Sequence, residues 1–296
     1  MRNLFFVLTT VLFASQASAQ VARVFLSGTG NDLNDCSVQS TPCRSLQGAH
    51  DQVSPSGEVI ILTSGGFGTA TITKSITIDA PNGVVAFNGR TINVNIAASD
   101  VVVLRGISMN GTIFADPVGV AFTTAGTLII ENSVISGFGK GIAMTGAAGH
   151  LAIVNSDIRN NANYGLQVNV GAGSDALVTV EHSRFEKNGT QGISVQGNAV
   201  AVIRDSTSTN QTGGIGVDGN AGDGPLVVIE RTILAQNGTG IEATAVGQST
   251  AVAQVSATTL IDNGAAVSNT VGSFVQSWVN NRVGGTNPFT GTLVEQ

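Results

Sequence analysis

From residue 58 onward the chain is written in short apolar runs separated by polar turns, and no stretch sustains a helical period. Runs at residues 59–62, 70–73, 75–78, 84–87, 91–96, 101–104 and 107–109 are bounded by Gly, Asn, Asp or Pro. This pattern predicts short strands, because β-branched side chains suit a pleated surface and the bounding residues favour turns. Further along, the runs acquire a fixed grammar. Leu128, Ile129, Ile130 and Glu131 lead to Ser133, and Gly141 and Ile142 follow. The phrase returns at residues 152–156 with Gly165 and Leu166, at 178–183 with Gly192 and Ile193, and at 202–206 with Gly214 and Ile215. It returns again at 227–232 with Gly240 and Ile241, and in degenerate form at 254–258 with Ala266 and Val267. Its Ser/Thr position advances by 23, 27, 23, 26 and 26 residues. A variable period in this range, with no helices between the runs, predicts coils of strand stacked as a solenoid.

Stacking coils one inter-strand spacing apart places equal positions of the phrase on top of one another. In the Gly-Ile pair, Gly is expected to turn the chain and Ile to enter the core. Asn161, Asn188, Asn210, Asn237 and Asn263 fall at one turn and predict an asparagine ladder, each amide bonding its equivalents above and below. Ser133, Ser156, Ser183, Ser206, Thr232 and Thr258 form a second polar ladder. A third column reads Arg105, Glu131, Val154, Glu181, Arg204, Glu230, Ser256. Neighbouring charges in it are opposite in sign, so a slipped coil would bring like charges together. The expected fold is all-β, a right-handed parallel β-helix solenoid of roughly nine coils and roughly 40 Å, with a small N-terminal helical cap.

The ends depart from this grammar. Residues 20–57 are expected to cap the stack, with a helix over 44–53 and a turn at 54–57, because the open end of a strand stack exposes unpaired backbone groups. The solenoid is expected over 58–273 and a terminal coil and cap over 274–296, with Trp278 covering the core. Residues 1–19 read as an export signal, with Arg2, an apolar stretch too short to span a bilayer, and Ala17-Ser18-Ala19 as the cleavage site. The mature chain is therefore expected in a periplasm or outside the cell. In that compartment Cys36 and Cys43, the only cysteines, predict one local disulfide.

A net charge of −6 with only 11% charged residues disfavours nucleic acid and anionic membrane, both of which need a basic footprint. No run after the signal is long enough for membrane insertion. Oligomeric state is not encoded in any motif.

The coil phrase, the asparagine column and the N-terminal cap resemble the right-handed parallel β-helix repeat proteins of the pectin-lyase-like superfamily. The stretch from Phe25 through Cys36 to Leu46 is similar to the start of exported bacterial members. The resemblance covers nearly the whole mature chain. It implies the fold and not the activity, since the superfamily includes pectate lyases, polygalacturonases, alginate lyases and epimerases, tailspikes and adhesin passengers.

Candidate chemistry is sparse. The hydrolase branch uses an Asp pair on adjacent coils, a Gly-His-Gly turn and an Arg-x-Lys strand, and none is present. The lyase branch uses a cation, commonly calcium, and an Arg or Lys base. Here Asp157 and Arg184 share one column on neighbouring coils, and His182 and Asp205 share another. His182 polarised by Asp205 would be a base, with Arg184 holding a carboxylate; the competing reading is a solvated face of alternating salt bridges. Two loops carry oxygen ligands suited to calcium: Asn31, Asp32, Asn34 and Asp35, and Asp218, Asn220 and Asp223. Asx-turns explain both without an ion, and no cofactor is required. His50 falls in the cap helix and is expected to be structural. Two functions follow: an exported glycan-binding or surface-structural module, or a polysaccharide lyase or epimerase acting on a uronate polymer.

Overall fold

The computed structural model describes residues 21–146, 149–171, 173, 175–220, 224–284 and 288–293. The export signal expected at 1–19 lies outside them, as does Asp223. The described strands form three parallel sheets of twelve, ten and nine strands, here sheets A, B and C. One circuit runs Gly149–Val154 in sheet A, Asp157–Arg159 in B and Tyr164–Val170 in C. Nine successive circuits contribute a strand to each sheet. Among the described residues, no helix is long and apolar enough to cross a membrane.

Alternation drives each coil inward. In Ala176–Glu181, positions 176, 178 and 180 are buried and the others face out, as a period of two requires. Stacked Val, Ile and Leu, with Phe122, Phe138 and Phe185, fill the interior. Each fully buried side chain of this kind stabilises by about 1.5–3 kcal/mol relative to exposure. The charge column stacks in the expected register, Arg105 on Glu131, Glu181 on Arg204 and Arg204 on Glu230. Arg105 bonds Glu131 at 2.8 Å, whereas Arg204 approaches Glu181 only to 3.7 Å.

Two expectations about the corners need correction. The amide ladder runs Asn161, Asn188, Gln211, Asn237, Asn263 rather than through Asn210. Asn161 Nδ2 donates to Asn188 Oδ1 at 3.0 Å, Asn188 Nδ2 to Gln211 Oε1 at 3.2 Å, and Asn237 Nδ2 to Asn263 Oδ1 at 3.1 Å. Asn210 is exposed and has φ 60°, like Asn160, Lys187, Gln236 and Asp262 at the same place in their coils. It belongs to a left-handed column one residue earlier, which Asn also favours. The Gly of the Gly-Ile pair does not turn the chain. A Cβ on Gly165 would lie 2.6 Å from the Gly192 carbonyl oxygen and 2.8 Å from Asn188 Nδ2. Glycine is needed there so that the next coil's backbone and the ladder amide can approach.

At the N-terminal end the helix is shorter than expected, Leu46–Gln52, with Ser45 as its cap. Asp32 accepts from the backbone N–H groups of Arg44 and Ser45 at 2.7 and 2.8 Å and from the Ser45 hydroxyl at 2.7 Å, holding both residues outside the helix. Residues 54–57 are not a free turn but part of the strand Val53–Ile61, which pairs with Val21–Leu26 on both sides of a bulge. Cys36 and Cys43 form the disulfide, Cα to Cα 5.2 Å, both fully buried. His50 is buried in the cap and accepts from the Thr73 N–H at 3.2 Å. At the other end Ser273–Ser277 continues sheet A, and Trp278 is half-buried beside it.

Candidate functional site

Between sheets A and B each coil turns through one left-handed residue. Asn132, Asn155, His182, Asp205, Arg231 and Ala257 occupy it on successive coils, with φ between 44° and 50°. The next residue is the buried Ser/Thr of the second ladder. Its hydroxyl accepts from the preceding coil's backbone N–H, as in Ser156 N–H to Ser183 Oγ at 3.1 Å. This regular corner lifts the charged side chains of the left-handed row into solvent.

His182, Asp205, Asp157 and Arg184 are all at this corner or on sheet B beside it. Asp157, His182 and Arg184 line one shallow depression with Asn132 and Asn155. Asp157 and Arg184 are direct register partners, and Arg184 donates to Asp157 Oδ2 at 2.8 Å. Hydrogen bonding to Asp157 raises the Arg184 guanidinium above its ordinary value, although burial opposes this. Arg184 also donates to Glu186 at 2.7 Å, and Arg159 donates to the same Oδ2 of Asp157. Asp157 Oδ1 is buried with no hydrogen-bond partner.

Asp205 does not orient His182. Both its oxygens accept from the Arg231 guanidinium at 2.8 Å. That hydrogen bonding, with weaker help from the His182 and Arg204 charges, holds the carboxyl below its usual value. The bidentate grip of Arg231 outcompetes the single contact an imidazole offers. The cluster is thus internally neutralised, with each carboxylate matched by an arginine.

In the two oxygen-rich loops the described donors are largely engaged. Asp218 accepts from Gln196 at 3.2 Å and from the Thr244 hydroxyl, and Asn220 is exposed. In the cap, Asn31 and Asp35 accept from backbone N–H groups two residues on, while Asp32 holds the helix start.

A second polar surface escaped the sequence reading. It is the outer face of sheet C. Its middle row stacks Gln167, Ser194, Gly216 and Glu242. One flanking row stacks Lys140, Tyr164 and Gln191, and the other Asn169, Gln196, Asp218 and Thr244. Gln167 and Ser194 are buried while Asn169 is exposed and Tyr164 and Gln196 half-exposed, so the middle row is the floor of a shallow trough. Gln191 crosses over Gly216 to reach Glu242 at 3.4 Å; a Cβ on Gly216 would sit 2.2 Å from Gln191 Nε2. The signal was available: the residue after each Gly-Ile pair is Ala143, Gln167, Ser194, Gly216 or Glu242. Polar or small residues there, between two core positions, mark an outward row.

These features define a parallel β-solenoid with a neutralised charged corner and a polar trough. The profile described as right handed beta helix region matches residues 59–226 and 118–285, and the chain belongs to that family. Among solved structures it is similar to pectate lyase Pel9A, at 14% identity and TM-score 0.58, over 94% of this chain and 80% of that one. It is also matched to the GH136 lacto-N-biosidase from Eubacterium ramulus, at 10% identity and TM-score 0.42, over 93% of this chain and 67% of that one. The first likeness establishes the fold. No curated protein is matched by the sequence.

Proposed function

We propose that this chain is an exported, non-catalytic glycan-binding β-helix whose ligand lies along the trough of sheet C. The observation that carries this reading is the composition of the trough on adjacent coils: amides, hydroxyls and the single tyrosine, repeating at about 4.8 Å per rung. Amides and hydroxyls donate and accept at once, matching sugar hydroxyls, and Tyr164 offers the one aromatic face for stacking on a sugar ring. Trough charges are few and of both signs, which favours a neutral polysaccharide over a uronate polymer. The alternative, a lyase or epimerase at the corner, needs a base and an unpaired cation. There the carboxylate meant to orient His182 is held by Arg231, and Arg184 is shared by two carboxylates.

The test is affinity electrophoresis and calorimetry against soluble neutral glycans and polygalacturonate. Binding to a neutral glycan should weaken about tenfold in Tyr164→Ala, equivalent to about 1.4 kcal/mol, and should be unaffected by His182→Ala. Ultraviolet-absorbing unsaturated product from polygalacturonate or alginate with calcium, lost in His182→Ala, would refute the proposal.

A further inference from the structure

The outer face of sheet A serves neither surface described above. Its middle column reads Val103, Ile129, Ala152, Thr179, Val202 and Val228 on six successive coils. Beside it stand Val101, Leu177, Val200 and Phe274, exposed by 43, 41, 41 and 44%. The strip is interrupted only by Thr179 in the middle column and by Thr127 and His150 beside it, and a largely apolar sheet face of this length marks an interaction site. Along its other side runs the charge column. Two buried polar atoms without a hydrogen-bond partner, His150 Nε2 and Arg204 Nε, belong to this same face.

We infer that this face is the interface of a two-fold homodimer in which two solenoids pack face to face and antiparallel. A two-fold axis along the strand direction keeps each column opposite its own copy and reverses the order of coils. Placed between the coils of Ala152 and Thr179, it sets Arg105 opposite the second copy's Glu230, and Glu131 opposite the second copy's Arg204. The same operation lays Val103 on Val228 and Ile129 on Val202. Shifting by one coil in one direction opposes Arg105 to Arg204 and Glu131 to Glu181. Shifting in the other opposes Glu131 to Glu230 and Glu181 to itself. Two-coil shifts avoid like-charge contacts only by giving up two of the six stacked rungs, so the central register alone combines full overlap with charge complementarity, which is how charge patterns select a docking register. It also gives Arg204, underused within its own chain, a carboxylate. An axis along the solenoid would instead press the charge column onto Val101, Leu177 and Val200. Eight coils at about 4.8 Å and six residues at about 3.3 Å cover roughly 750 Å² per copy, about the area per partner of a standard stable interface.

Light scattering after size exclusion, over a concentration series, should give a dimer of the chain, and Val202→Arg should abolish it at micromolar concentration with the circular dichroism spectrum unchanged. The double variant Val103→Cys/Val228→Cys should form a covalent dimer under mild oxidation. Positions 103 and 228 lie five coils apart within one chain, too far for an internal bond. Neither single variant should cross-link comparably. A monomer at all concentrations, a dimer indifferent to Val202→Arg, or cross-linking by Val228→Cys alone each overturns the inference. The first of these would leave the face to an occupant other than a second copy.

Discussion

Replacing Gln211 by Leu should destabilise the solenoid far more than replacing its neighbour Asn210 by Ala. Gln211 is 7% exposed, and its Oε1 accepts from both the backbone N–H and the side-chain Nδ2 of Asn188, at 3.1 and 3.2 Å. Leucine keeps the volume and removes the one acceptor of both bonds, together with the Nε2 donor to Ser208 Oγ at 2.6 Å. Asn188 Nδ2 retains the Ile158 carbonyl at 3.1 Å, but the Asn188 backbone N–H loses its ladder partner. Orphaning a buried donor costs about 1–3 kcal/mol, and losing the second bond about 0.5–1.5 more. The total is about 1.5–4.5 kcal/mol, or roughly 3–8 °C in Tm for a chain of this size. Asn210→Ala loses only the preference of Asn for the left-handed region, about 1 kcal/mol. Urea unfolding followed by circular dichroism measures both. Hydrogen exchange at Asn188 and Asn161 should show the Gln211→Leu loss concentrated in the flanking coils, since a solenoid is stabilised coil by coil. Equal destabilisation by the two substitutions would refute the ladder assignment and the energetic reasoning with it.

Two further outcomes follow. Burial pushes the Asp32 carboxyl up, but hydrogen bonds from the Ser45 hydroxyl and the Ser45 and Arg44 amides outweigh it and hold the group below its usual value. A carboxyl depressed in the folded state stabilises fully above its unfolded pKa and loses that contribution as pH falls through the folded one. Acid titration from pH ~6 to ~2 should therefore weaken exchange protection of the Arg44 and Ser45 amides below the ordinary carboxylate range. Asp32→Asn should begin weaker and show a shallower acid response; an unchanged acid profile would count against the assignment. Arg231→Met should release Asp205 toward His182 and move the His182 ring resonances relative to the wild type in NMR spectra, and unmoved resonances would show that Asp205 does not reach the ring.

The fold was legible because stacking converts a period into contacts. Once the Ser/Thr positions were aligned, the partners of Arg105, Glu131, Glu181 and Arg204 followed by addition. The ladder slipped at one coil because Asn serves two adjacent columns for different reasons: amide bonding at 188 and left-handed backbone at 210. Spacing alone would have placed Gln211, 23 residues after Asn188, in the ladder. The charged corner was legible as a cluster and not as a wiring diagram, since the choice of Asp205 between His182 and Arg231 depends on side-chain reach. The trough was missed because its residues are neutral and scattered through strands that otherwise read as core. The cap turn at 54–57 was misread because a bulge and a loop have the same composition.

The left-handed row from Asn132 to Ala257 accepts asparagine, histidine, aspartate, arginine and alanine at nearly the same backbone angle. The geometry there is guaranteed by the buried hydroxyl that follows, not by the side chain itself. Such a row behaves as a set of sockets at rung spacing, in which new chemistry can be installed without redesigning the interior. A pair of histidines at 155 and 182, for instance, would stand one rung apart on a rigid base, close enough to share a transition-metal ion.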